Sequence, residues 1–90
     1  KELKLIEDVM TKYRGKRVTF HALLTRQAAA RQFVSVHVLV PGDWTVHDAH
    51  HIAEDFEADI RNALGGAVTV FTHLEPVEDE LSMEDIHLDR

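Results

Sequence analysis

Residues 33–75 read FVSVHVLVPGDWTVHDAHHIAEDFEADIRNALGGAVTVFTHLE, and this stretch decides the fold. Phe33 to Val40 is a β-branched run with valine at every even position, as in a strand that buries one face. Pro41-Gly42-Asp43 is a turn. Thr45 can cap a helix whose apolar positions Val46, Ala49, Ala53, Phe56, Ile60 and Leu64 mark one face until Gly65-Gly66 ends it. Ala67 to Glu75 alternates again as a strand, and Pro76 stops it. A strand, a helix and a strand in this order form a crossover unit with its two strands parallel.

Upstream, Val18, Phe20, Ala22 and Leu24 alternate with Thr19, His21, Leu23 and Thr25, which predicts a strand antiparallel to 33–40. Gln27-Ala-Ala-Ala-Arg31 intervenes between the two. Leu3, Leu5, Ile6, Val9, Met10 and Tyr13 recur at helical spacing before Gly15, so residues 2–14 read as an amphipathic helix. The order is αββαβ. It predicts an α+β fold of two layers, an open-faced sandwich in which a three-stranded mixed sheet carries both helices on one face.

Ninety residues with 44% apolar content support one modest core, assigned to residues 1–76. From Glu75 to Arg90 there are seven acids against Arg90 alone, whereas residues 1–74 hold nine charges of each sign. Residues 77–90 therefore read as an acidic, solvated tail, in which His87 is a minor candidate for attracting metal. A net charge of −6 works against phosphate binding and excludes nucleic acid as a partner. With no Cys, thiol nucleophiles and Cys-based metal sites are excluded, and any metal must be held by His, Asp or Glu. Nothing approaches the apolar length of a membrane span, and the start at Lys1 carries neither a Met nor a signal-peptide region, so the chain reads as part of something longer. Serine–histidine–aspartate spacing and a glycine-rich phosphate loop are both missing, which argues against an enzyme.

Seven His are present, and parity decides where they point. If Val34, Val36, Val38 and Val40 face the helices, then Phe33, Ser35, His37 and Leu39 face the other way. The same test puts Val18, Phe20, Ala22 and Leu24 toward the helices with His21 and Leu23 on the open face. On the last strand Val68, Val70, Thr72 and Leu74 face the helices, and Phe71, His73 and Glu75 are open. His21, His37 and His73 then share one face and one edge, near the helix start that carries His47, His50 and His51. His50 and Glu54, and His47 and His51, are four apart, so either pair can share a ligand from one helical face. Imidazole and carboxylate are ligand types that zinc and related divalent ions accept. Leu23, Phe33, Leu39 and Phe71 accompany the histidines, and an apolar open face implies a partner, with a second copy as the first candidate.

Phe20-His-Ala-Leu-Leu-Thr-Arg-Gln27, Phe33-Val-Ser-Val-His37, Asp48-Ala-His-His-Ile-Ala-Glu-Asp55 and Val70-Phe-Thr-His-Leu-Glu-Pro76 together resemble the cytoplasmic C-terminal domain of cation diffusion facilitator transporters, particularly the bacterial iron/zinc branch. The resemblance covers residues 2–76. It implies a metallochaperone-like (ferredoxin-like) fold and a homodimer attached to the transmembrane domain of a bacterial inner-membrane exporter. It also implies metal ligands at His21, His37, His50, His73 and Glu75, the last standing where the family often has Asp. His47, His51 and Glu54 remain possible extras without a counterpart. Zn2+ is the implied ion, with Fe2+, Co2+, Ni2+, Cd2+ and Mn2+ as alternatives. A metal-independent homodimerisation or protein-interaction module with structural histidines is the competing reading.

Overall fold

The structure, a computed structural model, describes residues 2–79. Helix α1 (Glu2–Arg14) leads into strands β1 (Thr19–Ala28) and β2 (Arg31–Val40), then helix α2 (Val46–Leu64) and strand β3 (Val68–Pro76), with a short 3-10 turn at Val77–Asp79. The sheet order is β1-β2-β3, with β1 antiparallel and β3 parallel to β2. This is the αββαβ sandwich that the apolar periodicities predict.

Local chemistry explains the element ends. The Thr45 hydroxyl accepts the Asp48 N–H at 3.0 Å and so caps α2. Gly65, at φ 66°, sends its N–H back to the Arg61 carbonyl at 3.0 Å and closes the helix in a backbone region that glycine enters without strain. Gly42 donates its N–H to Glu78 Oε1 at 3.1 Å, and a Cβ at this position would lie 2.9 Å from that same oxygen. The 3-10 turn is thereby held against the turn between β2 and α2. Residues 80–90, including His87 and most of the acidic tail, lie outside the described residues.

The core lies between the helices and the sheet. Val18, Val34, Val36 and Val38 meet Ile6, Val9, Met10 and Tyr13 from α1 and Phe56 and Ile60 from α2. Phe56 sits among aromatics: its ring centroid is 4.7 Å from Phe20 and 5.5 Å from Tyr13, the latter edge to face at 89°. The Tyr13 hydroxyl donates to Asp59 Oδ2 at 2.5 Å and ties α1 to α2, while Thr72 donates to Glu57 and ties β3 to α2.

Burial and the Asp59 carboxylate both favour the neutral phenol, so the Tyr13 pKa is raised well above its ordinary value of 10.0. The folded chain then keeps a proton that the unfolded chain releases above about pH 10, so the contribution to stability is fully present below that pH and is lost progressively as the pH rises from there toward the raised folded pKa. Tyr13→Phe should lower stability by about 1.5–3 kcal/mol at neutral pH, the range for a hydrogen bond to a charged group, and should flatten the alkaline loss. Urea unfolding between pH 7 and 11 checks both. Tyr13 is the single tyrosine, so phenolate absorbance in the wild-type chain reports its ionisation directly.

Three departures from simple alternation follow from packing. Between His21 and Leu24 the β1–β2 register slips: His21 pairs with His37 but Leu24 pairs with Ser35, so β1 holds one extra residue, and Ala22 turns to φ 57°. An extra residue reverses every later side chain. Leu23, predicted on the open face, packs against the core. Leu24, predicted toward the helices, is 68% exposed on the open face, and Ala22 is exposed as well. Secondly, both hairpin strands run further than predicted and leave only Ala29 and Ala30 between them, with Ala29 at φ 55°. Cross-strand hydrogen bonds override the low strand preference of Gln27, Ala28 and Arg31. Thirdly, Val46, predicted on the apolar face of α2, is 85% exposed as the first residue of the helix, and the buried run of that face begins only at Ala49.

Candidate metal centre

A single row of imidazoles crosses the open face of the sheet. The ladder pairs His21 with His37 across β1 and β2, and His37 with His73 across β2 and β3. Side chains directly opposite one another project to the same side, so the pairing puts all three at one height. Ring centroids are 6.1 Å apart for His21 and His37, and 5.2 Å for His37 and His73. His21 precedes the bulge and keeps its place while the leucines after it change sides.

Glu75 joins this row from β3. Its Oε2 lies 3.0 Å from His37 Nδ1, and both side chains are mostly shielded from water. Among the described residues His37 Nδ1 is buried and makes no hydrogen bond. A buried imidazole nitrogen with no hydrogen-bond partner among the described residues is unusual, and here it stands beside a carboxylate. The donor chemistry fits a divalent cation of the zinc type. Among the described residues no three His, Asp or Glu side chains already enclose a point where an ion could sit. The row therefore offers its donors in pairs, and further donors must come from side-chain rotation, water or another chain.

The other candidates are carried by α2. His50 is exposed on α2, where its Nε2 lies 3.2 Å from Glu54 Oε2, one turn along the same helix. His47 and His51 are stacked one turn apart, with centroids 6.3 Å from each other and ring planes 16° from parallel.

The apolar part of the open face is also rearranged. Phe71 is 52% exposed, Phe33 is half-buried, and with Leu24 and Ser35 they line one shallow depression. The Arg26 guanidinium lies 5.0 Å from the centre of the Phe33 ring, a stacked cation that alternation gave no reason to place there. Leu23 leaves this surface through the bulge. Leu39, predicted as an exposed interface residue, is only 2% accessible. It belongs to the central strand, paired with Thr19 on one edge strand and Glu75 on the other, so it has a neighbour on both sides. Leu24 and Arg26 are the residues that parity missed. The stretch Ala22-Leu-Leu-Thr25 holds no Gly or Pro to signal a bulge, so only the pairing register reveals them.

Comparison with known proteins agrees with this architecture. A family described as "Cation efflux protein, cytoplasmic domain" matches residues 1–77. The uncharacterized transporter sll1263 of Synechocystis is 43% identical over 83 residues, 92% of this chain and 26% of the relative. The cation-efflux pump FieF of Pectobacterium atrosepticum is 32% identical over 76 residues, 84% of this chain and 25% of the relative. This chain thus spans about a quarter of the length of those curated relatives. Among solved structures, the zinc form of CzrB superposes with a TM-score of 0.76 at 28% identity, covering 86% of this chain and 85% of that one. No helix among the described residues is long and apolar enough to cross a membrane. The family is one of transporter domains and not of enzymes, and on the strength of a match over residues 1–77 this chain belongs to it, as a cation diffusion facilitator cytoplasmic domain of ferredoxin-like fold.

Proposed function

We propose that this domain is the metal-binding regulatory and dimerisation element of a divalent-cation efflux transporter at the bacterial inner membrane. His21, His37, His73 and Glu75 would hold Zn2+ or a similar ion. The observation that carries this reading is the row itself: three imidazoles in ladder register, with the unpartnered His37 Nδ1 beside Glu75. A relative of similar fold solved in a zinc form supports the choice of ion. Bound there, the cation would supply a positive charge that several donors share. Because the row offers only pairs within one chain, its donors would be completed by a second copy facing it, with His50 as a further candidate. Leu24, Phe33 and Phe71 beside the row supply the apolar contact such a pairing needs. An ion held better in one arrangement of two protomers than in another shifts the population toward that arrangement. The transmembrane part of the same transporter is the partner to which that shift would be passed. In this reading the acidic residues after Asp79 raise the local cation concentration.

The test is a calorimetric zinc titration of the chelator-stripped chain, with sedimentation before and after. Saturable binding together with a more compact dimer supports the proposal, and absence of heat and of any change in shape refutes it. A metal-independent dimerisation module is the second reading, favoured by the apolar depression alone, and it predicts association indifferent to chelator.

The bulge gives this a sharp control. Leu24→Asp puts a charge on the open face and should raise the dimer dissociation constant at least about 10-fold while leaving the melting temperature close to wild type. Leu23→Asp puts the same charge into the core and should destabilise the fold by several kcal/mol. Sedimentation and thermal unfolding of the two variants separate association from folding, and equal behaviour would refute both the bulge and the interface.

A further inference from the structure

His47 and His51 are not used by the row on the sheet, and their arrangement is not what solvation alone requires. Both belong to the first turns of α2, four residues apart on one side of the helix. Their rings are nearly parallel, 16° apart, with centroids separated by 6.3 Å. His51 Nε2 faces Asp55 Oδ2 at 3.9 Å, one turn further on, so the ligand types run His, His, Asp at positions i, i+4 and i+8. Trp44, Asp48 and Ile52 complete a shallow depression around the two rings.

We infer that His47 and His51 form a second cation site, a two-imidazole clamp on α2 that works within a single protomer and takes Cu2+, Ni2+ or Zn2+. Residues four apart on a helix bring their Cβ atoms to about 5–6 Å, and bonds to nitrogen of about 2.0–2.1 Å allow both rings to reach one ion by rotation of exposed side chains. Asp55 adds a negative charge beside His51, and water completes the shell. The positive end of the helix dipole opposes a cation here. The carboxylates of Asp48, Glu54 and Asp55 act against that, and two direct bonds to neutral imidazole decide the balance. Because nothing closed surrounds the clamp, the protein imposes little geometry. Its affinities should follow the intrinsic order for nitrogen ligands, with Cu2+ above Ni2+ and Ni2+ above Co2+. The sheet row plays no part in this site, so either can fail without the other.

Trp44 is the single tryptophan and lies at the site, so it reports occupancy directly. The experiment is a Ni2+ titration of the chelator-stripped 90-residue chain, following quenching of indole fluorescence by the paramagnetic ion. The wild-type chain is compared with His47→Gln/His51→Gln, with each single substitution, and with His37→Ala/His73→Ala. The expected result is saturable quenching in the wild type, unchanged in midpoint in His37→Ala/His73→Ala. The midpoint should rise at least 10-fold in the double His47/His51 variant and nearly as much in each single variant. Quenching that survives in the double variant overturns the site. So does a loss of less than 2-fold in each single variant, which would mean separate one-point contacts instead of a clamp. Loss of quenching in His37→Ala/His73→Ala also overturns it, by assigning the signal to the sheet.

Discussion

His37→Ala/His73→Ala is expected to remain folded and to self-associate, yet to bind zinc at the sheet row at least about 100-fold more weakly than the wild-type chain, both compared with His47 and His51 replaced by Gln. Removing a group that only orients a metal ligand already costs about 10–100-fold in affinity, and here two of the four donors go, including the central one. The fold should survive because neither ring holds it together. His37 Nδ1 has no good hydrogen bond to lose, and His73 is exposed on an edge strand. The change in unfolding free energy should stay within about 1 kcal/mol, the size of one ordinary hydrogen bond. Calorimetry gives the affinity and urea unfolding gives the stability. An unchanged zinc isotherm would sink the assignment of the row. Loss of binding together with loss of folding would show that the histidines are structural, as the competing reading has it. Glu75→Gln should weaken binding less than the double variant, since one neutral oxygen donor remains on that side chain.

Phe56→Ala is expected to remove about 3–5 kcal/mol of stability, the usual range for emptying a buried phenylalanine site. The ring is 1% accessible and touches both Tyr13 and Phe20, so one truncation takes away two aromatic contacts and opens a void between α1, α2 and the sheet. A domain of this size holds roughly 0.05–0.15 kcal/mol per residue, so a large share of its total stability would go. The variant should be marginally folded or unfolded at 25 °C, as read from urea unfolding followed by Trp44 fluorescence. Phe56→Leu keeps most of the apolar area and should lose less. A cost below about 1.5 kcal/mol for the alanine variant would mean that α2 does not pack on the sheet as described. Metal binding should fall with folding in Phe56→Ala, because Val38, next to His37 on β2, is held from behind by the same core.

Much of this was legible in residue order. Valines at 34, 36, 38 and 40 named the buried face of β2, and that one parity put His37 on the open side. Thr45 and Gly65 bracketed α2 because capping is a matter of a few neighbouring atoms. His73 followed from the alternation of β3. The row was thus accessible to a reading of periodicities, since His37 and His73 lie on regular stretches of strand and His21 stands just ahead of the bulge.

Irregular stretches behaved differently. Leu23 and Leu24 are chemically identical neighbours, and nothing in Ala22-Leu-Leu-Thr25 says which of them turns inward. The extra residue of β1 is absorbed where β1 can both keep His21 against His37 and bring Leu24 against Ser35, a condition set by the partner strand. Leu39 has open-face parity and is still buried, because accessibility on a central strand depends on the side chains that flank it from both edges.

Order, spacing and residue type alone determined the αββαβ course of the chain, the caps of α2, the absence of thiol chemistry and the convergence of imidazoles on one face, because each depends on neighbours within a turn or a strand. Only the tertiary structure decided which leucine stands on the open face and that Glu75 reaches His37 Nδ1, which has no hydrogen-bond partner among the described residues. Those are properties of contacts between segments far apart in sequence, where register, packing and flanking side chains fix distances that local pattern does not contain.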